Sequence, residues 1–296
     1  MKDKNREVKQ SALFEEMLNV CALYQSHRMQ VYKAAMEITH RLSVNPEAVR
    51  HYQSEPLENV LKKAEIIFTD YPQDDIYVHL KLIFEACKFE YYFKHGIVDK
   101  ANQILTGIKP KIPQLMVHYE NYGFPAQLLN GLLIIGLEDM NLYELPGEID
   151  VEHMSEPALV MLFVYQSIFE LYQERYSKAS SLLFGLVNRV GFKDYPQLFA
   201  EIKCLMALVK YKQQDEALFR QNYLSAQRLL RRLDKKAVPG LAALVKCLGI
   251  LNGRRPLERS QRLMKQIKII ETEDSNMYAP GRYLLLVLKE LATPFN

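Results

Sequence analysis

Apolar residues in this chain recur with the period of a helix. Between 195 and 213, Leu198, Ile202, Leu205 and Val209 fall at i, i+4, i+7 and i+11, with Lys203, Lys210 and Lys212 off that face. The strict alternation of a half-buried strand is scarce. Breaks come at short intervals, among them Asn45-Pro46, Pro56, Tyr71-Pro72, Gly96, Pro110, Pro125, Pro146-Gly147, Tyr195-Pro196, Pro239-Gly240 and Pro256. The stretches between them have the length of helices in bundles. The pattern predicts helices over 8–27, 29–42, 57–69, 74–95, 97–107, 111–121, 125–137, 156–173, 176–190, 195–213, 216–233, 238–252, 256–271 and 279–292. Residues 138–155 are acidic, contain Pro146-Gly147 and show neither period. They read as an irregular loop between N-terminal helical repeats over 1–137 and C-terminal helical repeats over 156–296. The expected fold class is all-α, more than roughly 60% helix and without sheet.

A short pattern returns along the chain: a bulky residue, two variable ones, a small residue, two more, then Ile or Leu. It reads Tyr32, Ala35 and Ile38, then Leu61, Ala64 and Ile67, then Val98, Ala101 and Ile104. It continues as Tyr176, Ala179 and Leu182, then Tyr223, Ala226 and Leu229, and in weaker form as Leu257, Ser260 and Leu263. A small residue at a helix crossing lets two backbones approach to about 8 Å, while the large flanking residues fill the grooves beside it. One hairpin cannot bury its own apolar faces, so neighbouring hairpins stack.

The stretch from Tyr92 through Gly96 to Ala101 resembles the turn and second-helix start of a tetratricopeptide repeat. Tyr172 to Ala179 is similar without the Gly, and Tyr211 to Ala217 is a fainter echo. The resemblance implies an α-α superhelix of stacked antiparallel hairpins. It also implies a concave surface made by the first helix of each hairpin and a role as a protein- or peptide-binding scaffold.

Composition narrows the chemistry. Hydrophobic residues make up 49% and charged ones 25% of the 296 residues, with mean hydropathy -0.17 and no apolar run near the length of a membrane span. The charged start, MKDKNREVKQ, is unlike a secretory leader, so the expected compartment is the cytoplasm. Cys21, Cys87, Cys204 and Cys247 are far apart, each in an apolar helical stretch, and read as buried reduced thiols. There is no phosphate-cradling glycine motif and no nucleophile elbow, and no cofactor is implied. Glu37 and His40 form a single E-x-x-H, short of the paired set that a di-iron bundle needs. The 18 Tyr and 13 Phe suit either interhelical packing or a peptide-lining groove.

Charge is unevenly spread. Residues 201–296 hold 18 Lys+Arg against 9 Asp+Glu, a balance of +9; the whole chain carries +3, so residues 1–200 carry −6. Arg231 and Arg232 form one basic cluster. Arg255, Arg259 and Arg262 form another, at i, i+4 and i+7, so they are expected on one exposed helix face. Such a stripe serves as a solvated face, or as a seat for an acidic peptide, a phosphorylated partner or nucleic acid. The partner reading taken forward is a protein or peptide, acidic in character, bound without catalysis. A nucleic-acid-associated regulator and an enzyme of an all-helical class are the alternatives.

Overall fold

A computed structural model gives the fold. It describes residues 26–43, 56–70, 75–112, 124–138, 141–145, 156–234, 237–253, 259–272 and 278–292, with a few isolated positions between them. Of the described residues 83% are helical, and none is in a strand. The helices are α1 (His27–Ser43), α2 (Leu57–Asp70), α3 (Asp75–Lys94), α4 (Val98–Ile108), α5 (Phe124–Glu138), α6 (Glu156–Tyr172), α7 (Tyr176–Arg189), α8 (Pro196–Lys212), α9 (Glu216–Leu230), α10 (Pro239–Leu251), α11 (Arg259–Thr272) and α12 (Ala279–Ala292). Most of the helices predicted over 8–27 and 111–121 lie outside the described residues. Within the loop read over 138–155, Glu138 still belongs to α5, and residues 141–145 have no regular structure.

The chain divides into two compact units. One is Met1–Gly131 with Leu145–Ile149, and the other is Leu132–Glu144 with Asp150–Asn296. In the first unit α1 packs on α2 and α3, and α4 packs on α3. Val31, Leu61, Ala64, Phe68, Phe84 and Cys87 form its core. Tyr91 donates its hydroxyl to Glu58 Oε1 (2.7 Å), and Lys88 reaches Glu65 Oε1 (2.6 Å), which ties α2 to α3. Gly131 lies against the ring of Phe89, so close that a Cβ there would sit 2.3 Å from Cζ.

In the second unit α6 pairs with α7, α8 with α9, and α10 with α11. The first and second helices of these pairs are buried differently. Each second helix hides one narrow stripe: Ala179, Leu183 and Leu186 on α7, and Leu263, Ile267 and Ile270 on α11. That is one face of an amphipathic helix. The first helices are buried on most of their surface: α8 hides nine of its 17 residues, including Ala200, Cys204, Ala207 and Val209. The cause is α12, which packs against α6, α8 and α10 as well as against α11. The side that the first helices share is therefore filled by their own side chains and those of α12.

Four of the recurrent small residues are buried. Ala64 is 1% exposed, and Ala101, Ala179 and Ala226 are 0% exposed. Three hairpin turns also share one geometry. Gly96 (φ +69°), Glu174 (φ 57°) and Gln214 (φ 59°) each take the left-handed conformation. The next residue's N–H then bonds five residues back along the turn: Ile97 to Tyr92 O (2.9 Å), Arg175 to Glu170 O (2.8 Å), Asp215 to Lys210 O (2.9 Å). This is the Schellman ending of a helix. Five residues after the left-handed position come Ala101, Ala179 and Phe219, all buried. The third hairpin therefore matches the other two at Phe219; Ala217 is exposed.

Candidate functional site

The turn end of the second unit holds a groove of about 890 Å³. Tyr211, Lys212, Phe219, Arg220 and Arg259 line it, with Asp215 and Glu216 at the start of α9. The turns build it. The Schellman ending of α8 brings Asp215 to the N-cap of α9, where its Oδ1 accepts from Leu218 N–H at 3.0 Å. Its negative charge is thereby committed to the helix start. Phe219 is buried behind the turn, its ring 5.7 Å from that of Tyr211. On the facing hairpin, α10 ends at Leu251, and Arg259 opens α11.

Arg259 is half-buried. One guanidinium nitrogen donates to Gly253 O at 3.2 Å, while Nε is shielded from solvent and meets no acceptor among the described residues. A buried donor left unmet is costly, about 1–3 kcal/mol, and marks a place where an acceptor fits. Arg262, three residues on, is exposed to solvent. Arg255 lies outside the described residues. Arg231 and Arg232 are exposed, just past the end of α9. The groove touches the start of that helix. Fifteen residues at about 1.5 Å each put the two arginines roughly 20 Å further along the axis. The two basic clusters are therefore not one surface. No protein family, curated protein or solved structure matches the chain.

Sequence reasoning missed a second polar feature. Glu201 on α8 is 0% exposed. Its Oε2 accepts from Gly281 N–H (3.1 Å), and its Oε1 accepts from Tyr278 N–H (3.3 Å) and from Gln197 Nε2 (3.1 Å). Tyr278 and Gly281 stand at the start of α12, so a side chain about 80 residues away satisfies that helix's orphan donors. Burial pushes the Glu201 carboxyl up to about 8, against the pull of these hydrogen bonds and of nearby Arg282. The signal was present in the sequence: Glu201 stands three residues after Leu198 and four before Leu205, beside the apolar face of its helix.

Cys87, Cys204 and Cys247 are buried, and Cys21 lies outside the described residues. Burial pushes the Cys204 and Cys247 thiols up, Cys247 to about 12, so neither is a thiolate near neutrality. Glu37 is buried on α1, and among the described residues no three His, Cys, Asp or Glu side chains are grouped to hold a metal. Among the same residues no helix is long and apolar enough to cross a membrane.

Proposed function

We propose that this chain is a non-catalytic, tetratricopeptide-like binding module of the cytoplasm. It takes an acidic peptide segment in the groove between the α8–α9 turn and the start of α11. The single observation that carries this is Arg259, which lines that groove and whose shielded Nε–H lacks an acceptor among the described residues. A partner carboxylate beside it gains a charge-assisted bond. Lys212 and Arg220 add positive charge, and Tyr211 and Phe219 offer ring faces to an apolar neighbour in the same peptide. The turn-end groove is preferred to the shared side of the first helices because α12 packs there. The shared turn geometry and the buried alanines support the repeat architecture, with hairpins stacked as in a superhelix.

The test is fluorescence anisotropy with labelled peptides that alternate Asp or Glu with Phe or Leu. Binding should weaken at least about tenfold in Arg259→Met, which corresponds to about 1.4 kcal/mol. The melting temperature should stay nearly unchanged, and Asn/Gln versions of the peptides should not bind. If single-stranded RNA binds instead, with a steep loss on adding salt, the nucleic-acid reading replaces this one. If only an Arg231→Glu/Arg232→Glu variant loses binding, the site lies at the far end of α9.

A further inference from the structure

A second cavity of the same unit has the opposite character. It encloses about 160 Å³ and is bounded by Tyr172, Tyr176 and Tyr283, with Leu and Val side chains closing its apolar sides. Glu174 and Glu290, both exposed, stand at its rim with half-buried Lys212. Neither carboxylate forms an ion pair among the described residues, and Lys212 forms none either.

The helix ends add no net sign, because the last turns of α6 and α8, which contribute Tyr172 and Lys212, meet the start of α7 at Tyr176. The side chains set the sign: two carboxylates stand against one ammonium. Burial, and then Glu290 beside them, also push the Tyr283 and Tyr176 phenols up, with Glu174 acting on Tyr176 as well. The rings therefore meet a ligand as neutral phenols with electron-rich faces. Aromatic faces under a negative rim attract a cation through the ring quadrupole, and more strongly as the site dries.

We propose that this cavity is a binding site for an organic cation, an alkylammonium group of the size carried by a lysine side chain. The tyrosine rings take the methylene or methyl groups. Glu174 and Glu290 face the charge from the rim. Such a group comes either from a small free amine or from a lysine of a partner protein. This inference does not rest on the acidic-peptide reading, whose groove has a different set of aromatic and acidic residues.

The experiment is fluorine NMR of the full chain labelled with 3-fluorotyrosine, with resonances assigned by single Tyr→Phe variants. Tetramethylammonium and Nα-acetyl-lysine amide should each shift the Tyr176 and Tyr283 resonances saturably. Tighter binding of the lysine amide points to a protein side chain as the source, and tighter binding of tetramethylammonium to a small amine. Neopentyl alcohol, a neutral molecule of similar shape, should leave both resonances in place. A Glu174→Gln/Glu290→Gln variant, changed only at exposed positions, should bind at least about fivefold more weakly. Tyr176→Leu should bind neither cation while its other tyrosine resonances stay as in the parent chain. Equal shifts with neopentyl alcohol, or no saturable shift with either cation, overturns the proposal. Binding seen only after Lys212→Met does so too, because Lys212 would then be the cavity's own cation.

Discussion

The carboxylate of Glu201 caps α12 from another helix, its Oε2 receiving the Gly281 N–H at 3.1 Å although the two residues are 80 positions apart. Two demands meet there. The orphan N–H groups favour an anion, and complete burial disfavours one. Burial prevails, since the carboxyl is pushed from the ordinary 4.5 to about 8.

A pH dependence follows from that shift. Between pH 4.5 and about 8 the folded chain holds a proton on Glu201 that the unfolded chain has released. Stability therefore falls as pH rises through this window, and what is present at low pH is lost. Glu201→Gln imitates the protonated form. Urea unfolding should find it close to the parent chain at pH 5 and more stable than the parent at pH 8.5, by an amount on the order of a few kcal/mol. A parent chain that is the more stable of the two at pH 8.5 would show that the helix end, not burial, governs this carboxyl.

The turn at Gln214 offers a cleaner energetic test. A non-glycine residue in the left-handed region costs about 1–2 kcal/mol, and Gly96 already relieves that cost at the equivalent turn. Gln214→Gly should raise the urea midpoint, with a gain of about 0.5–1 kcal/mol after the added freedom of the unfolded chain.

Ala179, on α7, is fully buried, and α7 packs against α6. Replacement by Leu inserts three carbons where no volume is free. It should cost about 1–3 kcal/mol in thermal or urea unfolding. Unchanged stability would argue that the recurrent small position is not a crossing point.

Gly131→Ala should destabilise by about 1–3 kcal/mol, even though alanine is the better helix former by roughly 1 kcal/mol. The new methyl meets the Phe89 ring, which is itself 1% exposed and has little room to move. Adding Phe89→Leu should recover part of the loss, and a double-mutant cycle reads that coupling directly.

Helix positions were legible from period and punctuation. The expectation of 176–190 meets Tyr176–Arg189, and 279–292 meets Ala279–Ala292. The buried alanines were legible as well, because a small residue between two large ones on a helix has few other uses. The third turn was not. Gln214 and Glu174 do work that sequence reasoning assigns to glycine, so the register of that hairpin slid from Phe219 to Ala217. Only Arg259 and Arg262 of the basic stripe fall within the described residues, and the structure turns the first into a groove and leaves the second in solvent. Spacing alone puts both on one side of a helix without saying what faces that side. The cavity at Tyr172, Tyr176 and Tyr283 was beyond reach, since its walls come from five helices and no local pattern joins them.

The packing of α12 against α6, α8 and α10 also orders events during synthesis. Three hairpins leave the ribosome before the segment that covers their common side. Until residues 279–292 emerge, the apolar side chains of three helices have no cover, and the backbone donors of the last helix have not yet met Glu201. The nascent second unit is thus a sticky intermediate by construction, the sort of species that chaperones hold. A chain interrupted shortly before α12 would aggregate or be degraded rather than persist as a smaller working module.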